Sequence, residues 1–372
     1  MGRTECSRNS GTTEADLALR AITAAITDAG IEAADVDGIV PYALGAPAED
    51  VLEGLGLLDV RMAATTLMGG AGPVAGLKLA AMALAACVSR YVVVYVARNG
   101  GSQVRVESRV RAIVPGQAMR LQLEAPAGMS LPVQWFALMA RRHMAEYGTT
   151  REQLGEVALA MRAFARLNPD AQMHGRPMSM EDYLSSRPIA EPYHLFDCCL
   201  ESDGAAAIVM TTARRAADHE RRVTLAGVGE GHAESSASFA SRRDFFDIGL
   251  RRAAPIAFDM AGMRPDEMDL AYIYDCFTFE VLHQLEAAGF CGAGEGGAFV
   301  QNGRIGPGGD LPVNTNGGLL SDGHLAGMNG IVEAVRQLTG RAGPRQVANA
   351  RSAFLCGFGD MGDGTAAVLA GG

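Results

Sequence analysis

Four short stretches gather the residues that could do chemistry: MGGAG (68–72), YDCFT (274–278), NTNGGLLSDGHLAGMNG (314–330) and LCGFGDMG (355–362). Each falls where a strand or turn meets a helix or a glycine loop, the place where layered α/β proteins put their ligands. In the third, His324 stands just before a helical pattern, whose N-terminal dipole favours a neutral imidazole beside an anionic group. The plain alternative is a histidine packed against its loop. Tyr274 closes the run DLAYIY, as a reactive phenol or as a rim aromatic. Asp275 either orients a base or caps the helix expected at 278–288, and capping is the preferred reading. Asn316, between Thr315 and Gly317, offers an amide to a substrate oxygen or fills a left-handed turn. Cys356 ends a strand beside Gly357, Phe358 and Gly359, as a reactive thiol or a buried inert one.

What is missing narrows the chemistry. Between Thr66 and Leu77 the glycine turn carries no Ser, Cys, Asp or Glu. A Schiff base would need Lys78, the only lysine, which sits in an apolar helical run with no acid beside it. The seven histidines never pair at i, i+4, and the seven cysteines form no CxxC, so a metal centre is not expected. Cys198, Cys199 and Cys291 read as packing. No nucleotide fingerprint is present. Acid–base chemistry in an oxyanion-type pocket remains.

The elements that position these residues follow an α/β rhythm. Residues 14–30 carry a helical face ended by Gly30, 36–44 and 60–66 read as strands, and 73–88 as a buried helix with Pro73 in its first turn. RYVVVYVARN is a strand covered on both faces. Residues 99–190 break the rhythm with helices expected at 134–147 and 151–167, an insert of the kind that shapes a substrate site. Strands at 203–212 and 223–231 lead to a second unit: helix 242–262, strand 269–274, helix 278–288, a glycine-rich loop 292–310, helix 325–339, then strands at 352–358 and 365–372. Both units repeat strand–helix–strand order around a small-residue helix, a sign of duplication.

The chain has 372 residues, 48% apolar and 20% charged, with net charge −10. Such a balance argues against nucleic acid, which needs a basic face. No secretory pattern opens the sequence, and the most apolar stretch, 79–97, is broken by Ser89 and Arg90, so neither export nor a membrane span is expected. A cytoplasmic protein with reduced thiols is the reading.

Taken together, the four stretches resemble the thiolase superfamily, in its sterol-carrier and lipid-transfer-protein-like branch. DGAAAIV resembles the branch's loop-to-strand signature, and YDCFT stands where that branch has His-Asp-Cys-Phe. GEGGAFVQNGRIGPGGDLPVNTNGG is a specific match, and SDGHLAGMNGIVEAVRQLTG resembles the thiolase Gly-His-Pro motif with its helix. The strand expected to precede GRTECSRNSG looks short or missing. The resemblance implies two duplicated βαβαβαββ halves (1–220 and 221–372) in a five-layer αβαβα sandwich, an inserted loop domain at about 99–190, and a homodimer. It also implies a coenzyme A thioester as substrate and no separate cofactor.

Degradative thiolases carry Cys-Ala-Ser-Gly in the turn before the first buried helix. Aligning Ala71–Gly72 with that Ser-Gly puts Gly69 in the place of the cysteine. Cys87 lies at the other end of the helix, roughly 21 Å away at ~1.5 Å per residue. Without the thiol, the acyl-enzyme route is closed. A pocket of Tyr274, His324, Asn316, Cys356 and backbone N–H groups near Gly69, Gly70, Phe358 and Gly359 can still stabilise a thioester enolate. That suffices for retro-aldol cleavage of a 3-hydroxyacyl-CoA, with Tyr274 or His324 as base and Cys356 as enolate proton donor. The resembling steroid side-chain aldolases use a second tyrosine where this chain has His324, and they act with a small OB-fold/zinc-ribbon partner. The alternatives are a Claisen thiolase using another nucleophile such as Cys356, and a non-catalytic acyl-CoA- or lipid-binding subunit. The apolar insert suggests a bulky acyl group, steroid-like or aromatic.

Overall fold

The computed structural model describes every residue except 104, 106–119, 236–240 and 360–361. Part of the expected insert and the Asp360–Met361 end of the fourth stretch therefore lie outside the described residues.

Two mixed sheets carry the chain. The first uses β1 (Gly2–Arg3), β2 (Gly38–Pro41), β3 (Met62–Ala63) and β4 (Tyr91–Asn99); after a small hairpin of β5 (Pro188–Ala190) and β6 (Tyr193–His194) it takes β7 (Asp203–Thr211). Its order is β1-β7-β4-β2-β3. The second sheet takes β8 (Val223–Gly231), β9 (Leu270–Tyr272), β10 (Ser352–Gly359) and β11 (Asp363–Gly371) in the order β8-β11-β10-β9. The two share one pairing scheme. In the first, β7 lies antiparallel to both β1 and β4, and β2 runs parallel to β4 and β3. In the second, β11 lies antiparallel to β8 and β10, and β9 runs parallel to β10 and bridges in parallel to Val313. That repeated topology is the duplication expected from the sequence.

Helices α1 (Glu14–Ala29), α2 (Ala48–Leu55) and α3 (Gly72–Ala85) belong to the first half. Thr13 caps α1 by accepting the N–H of Asp16, and Gly30 ends it in the left-handed region. The insert contributes α4 (Pro132–Tyr147), α5 (Arg151–Leu167) and α6 (Met180–Leu184). The second half holds α7 (Leu250–Ala261), α8 (Thr278–Ala287), α9 (Gly296–Phe299) and α10 (Met328–Leu338). Helix α1 covers the outer face of the first sheet through Leu17, Ile22 and Ile26 against Val93 and Tyr95. Between the sheets, α3 and α10 bury Val74, Leu77, Ile331 and Val332 against Val92, Val94, Leu355 and Leu369. Helix α7 covers the second sheet through Ala253, Ala257 and Phe258. The layers run helix, sheet, helix pair, sheet, helix. A central helix must be apolar all round, which is why the 73–88 run lacks a polar face.

Two expectations need correction. The helix expected at 242–262 begins only at Leu250. Residues before it are held as a loop, because Arg242 Nη1 donates to the Asp247 carbonyl and Asp244 accepts the N–H of Phe246. The first strand is short, as expected: it spans two residues, and Thr4 and Ser7 extend it by N–H bonds to Ala205 and Asp203. Lys78 is not without an acid: it is half-exposed and pairs with Glu230 of β8 at 3.1 Å.

Candidate active site

The glycine turn lies at the N-terminus of α3 and the strand β10 crosses it. Gly69, at φ +48°, starts a single tight turn over 69–71 that feeds the helix. A Cβ on Gly359 would stand 1.9 Å from the Met68 carbonyl oxygen. One on Gly70 would stand 2.2 Å from Cζ of Tyr274 and 2.5 Å from the Phe358 carbonyl oxygen. The substrate-side residues proposed from sequence, Gly69, Gly70, Phe358 and Gly359, thus form one wall, with the Tyr274 ring laid on it.

Tyr274 lies two residues past the end of β9, part-buried. Its hydroxyl is 3.4 Å from His324 Nε2. His324, 5% exposed, has its Nδ1 2.7 Å from Nη1 of Arg98 at the end of β4. A guanidinium only donates, so Nδ1 accepts, and the single ring hydrogen of the neutral imidazole is on Nε2. Burial first, and then the Arg98 charge, lower the His324 pKa to about 3. Nε2–H therefore donates to the Tyr274 oxygen, leaving the phenol's own hydrogen for a ligand. Burial raises the Tyr274 pKa well above its ordinary value, and Arg98 acts against that rise.

Cys356 is buried on β10, and its thiol donates to Gln284 Oε1 at 3.3 Å. Gln284 in turn donates to the Tyr274 carbonyl at 2.7 Å. Burial pushes the Cys356 thiol up to about 12, opposed by the backbone N–H of Tyr274. Such a group stays protonated. Tyr274, Asn316, Asn329 and Cys356 line a cavity of about 20 Å³, the space of a single water.

Asn316 comes to the same cavity, but one of its amide hydrogens goes to Asp322 at 2.6 Å. Asp275 does not cap α8. Its carboxylate accepts the N–H groups of Leu319 and Leu320 at 2.8 and 3.2 Å, fixing the wide turn 318–322, and burial raises its pKa to about 7. A Cβ on Gly318 would meet that carboxylate at 2.0 Å, so the turn needs glycine.

Sequence reasoning missed Asp322, the hub under the site. Fully buried, it accepts from both Arg3 Nη atoms at 3.1 and 2.9 Å, from Asn316, and from Asn329 at 2.9 Å. Asn329 Oδ1 has no partner among the described residues. Arg98 was also missed; its signal was a charge at the end of a strand otherwise apolar on both faces. Insert residues reach the site through Asn168, which donates to the Asn316 carbonyl, and through Phe136, whose ring lies 5.2 Å from Phe277 and 5.5 Å from Phe358. Cys87 is exposed at the far end of α3, all seven cysteines are free, and no metal-holding cluster occurs among the described residues.

Fold and site define a thiolase-type α/β sandwich in which Tyr274, His324 and Cys356 gather beside the glycine turn that precedes α3. Residues 231–371 match the family model described as thiolase C-terminal domain-like. A steroid side-chain-cleaving aldolase of Thermomonospora curvata is 38% identical, over 91% of this chain and 89% of that one. The 17-hydroxy-3-oxo-4-pregnene-20-carboxyl-CoA lyase of Mycobacterium tuberculosis is also 38% identical, over 91% and 90%. The solved Ltp2-ChsH2(DUF35) aldolase superposes with a TM-score of 0.90 at 35% identity, over all of this chain and 96% of that one. The chain belongs to the thiolase superfamily, in its sterol-carrier and lipid-transfer-protein-like branch. No helix among the described residues is long and apolar enough to cross a membrane.

Proposed function

We propose that this protein is an acyl-CoA aldolase, cleaving the Cα–Cβ bond of a 3-hydroxyacyl-CoA that carries a bulky, steroid-like acyl group. One observation carries the reading: Tyr274, His324 and Cys356 converge on a turn, Gly69–Gly72, that holds no nucleophile.

The base is Tyr274 as its phenolate, which takes the proton of the β-hydroxyl. The Cα–Cβ bond breaks, the β-oxygen becomes a ketone or aldehyde, and the electron pair passes into the thioester enolate. His324 does not act as base, because its Nε2 carries hydrogen; it donates to the phenolate oxygen and steadies it. Backbone N–H groups near Gly69 and Phe358 are the proposed donors to the enolate oxygen. The Cys356 thiol returns a proton to Cα, and the proton held on Tyr274 resets it through solvent. A thiol held near 12 that donates to Gln284 suits this donor role and not that of a thiolate nucleophile.

Two copies pair along the outer strand β3, where Leu58 (98% exposed) and Leu67 (69%) flank the free edge. A small OB-fold/zinc-ribbon subunit completes the acyl-CoA site, a reading supported by the aldolase complex that this chain resembles.

The test is a product assay by mass spectrometry, with and without such a subunit. One arm offers a 3-hydroxyacyl-CoA with a tertiary β-alcohol, the other a 3-ketoacyl-CoA with free CoA. Ketone and shortened acyl-CoA from the first arm alone are expected. Thiolysis in the second would overturn the reading.

A further inference from the structure

Arg98 is 3% exposed, and its Nε has no hydrogen-bond partner among the described residues. Nor does any described carboxylate stand within salt-bridge distance of it. Buried guanidinium groups are normally paired, because an uncompensated charge in the interior costs the fold stability. Two other buried arginines near the site are paired: Arg3 lies on Asp322 and Arg345 on Glu333. Arg98 instead donates through Nη1 to a neutral ring nitrogen, His324 Nδ1, 2.7 Å away. A fold keeps such a charge where an anion must appear during turnover.

We propose that Arg98 is a positioning residue: it locks His324 as the Nε2–H tautomer and supplies the positive charge that faces the Tyr274 phenolate. The second half of this inference rests on the aldolase reading; the first does not. The groups that face Tyr274 are the thiols of Cys276 and Cys199, the Tyr42 hydroxyl, Arg98 and His324. Of these, the thiols and the hydroxyl raise its pKa and Arg98 lowers it. Arg98 lies at the C-terminal end of β4, the corresponding strand to β10 in the repeat, so each half sends one strand end into the site.

Two measurements decide the matter. The first is ¹⁵N NMR of histidine-labelled protein, with His324 assigned by its loss in His324→Gln and no substrate present. Nδ1 is expected as an unprotonated acceptor from pH 5 to 9. In Arg98→Met the ring should titrate nearer its ordinary value and populate Nδ1–H, and Arg98→Lys should restore the wild-type pattern in part. A protonated Nδ1 in the wild-type protein, or an unchanged ring in Arg98→Met, would overturn the lock. The wild-type spectrum alone settles the tautomer, should Arg98→Met not fold.

The second is the pH dependence of kcat/KM for aldol cleavage. Loss of the charge raises the pKa of Tyr274, so Arg98→Met should fall about tenfold near pH 7.5, one pKa unit being a factor of ten. Because Tyr274 titrates well above the ordinary phenol value, the loss should be the same at every pH from about 7 to 9.5, and Arg98→Lys, which keeps the charge, should recover much of it. An Arg98→Lys no more active than Arg98→Met would overturn the electrostatic role. Absence of cleavage with the wild-type tautomer intact would defeat the aldolase reading and leave the Arg98–His324 lock standing.

Discussion

Gly70 lies under the phenol ring of Tyr274 so closely that a single methyl group would stand 2.2 Å from Cζ. The glycine turn is thus the floor on which the proposed base rests. A Cβ there must push the ring, because the Phe358 carbonyl closes the other side at 2.5 Å. Gly70→Ala should therefore displace the Tyr274 hydroxyl from His324 and lower kcat on the order of 10²-fold, the usual scale for a misplaced acid–base group. Circular dichroism should show an intact fold. Wild-type turnover in Gly70→Ala would mean that Tyr274 is not where the chemistry happens.

The pH profile of turnover follows from the shifts of two groups. His324, held near 3, stays neutral at every working pH and so leaves no inflection near 6.5. Tyr274 is raised, so its reactive phenolate grows as pH rises. The logarithm of kcat/KM is expected to climb with pH from 7 to 10, and Tyr274→Phe should abolish the climb along with the activity. A bell centred near pH 6.5 would return the base to a histidine.

Cys356→Ala separates proton donor from nucleophile. Cleavage in D₂O by the wild-type protein should place deuterium at Cα with one handedness. The variant should turn over roughly 10²-fold more slowly and lose that stereochemical control. Intact-mass spectra of wild-type protein with substrate should show no acyl adduct; an adduct on Cys356 would contradict the mechanism.

Stability against pH carries opposing contributions. The folded state holds His324 at about 3 against 6.5 when unfolded, so the unfolded chain binds the extra proton between those values. That contribution rises with pH, by up to about 1.4 kcal/mol per unit. Asp275 is held at about 7 against 3.8, so the folded state binds the extra proton and its contribution falls with pH over 3.8–7. Urea midpoints of the wild-type protein should vary little from pH 4 to 6.5 on account of these two groups. In that window His324→Gln should make stability fall with rising pH and Asp275→Asn should make it rise. Parallel curves for both variants would show that neither carboxyl nor imidazole titrates as described.

Removing the carboxylate of Asp322 strands the buried Arg3 guanidinium and takes an acceptor from the amides of Asn168, Asn316 and Asn329. Asp322→Ala should lose about 3–5 kcal/mol of unfolding free energy, the range for breaking one partner of a buried pair. Chemical denaturation checks this. A loss under 1 kcal/mol would place water at Arg3.

The four reactive stretches were legible because glycine and short polar residues at element ends announce themselves. Their convergence on one turn followed from the family resemblance. The helices of the insert were legible from periodicity: α5 spans 151–167 as expected. Helix 242–262 was read too long, because the periodic apolar positions there continue through a segment whose backbone is held by Arg242, Asp244 and Asp247. The partners of the site were harder. Arg98, Gln284 and Asp322 act through contacts across 226, 72 and 319 residues of chain, and no local pattern encodes such pairings. Asp275 shows the same limit, since its real partners lie 44 and 45 residues onward.

The Arg3–Asp322 bond also sets a timetable. A ribosome adding about 5–20 residues per second needs roughly 16–60 s to travel from one to the other. Throughout that interval the first strand carries a cation whose buried partner does not yet exist. The first sheet can gather its inner strands early, yet its edge and the floor of the pocket close only when residue 322 has emerged. Catalytic competence should therefore appear late and abruptly during synthesis, as the two ends of the chain meet.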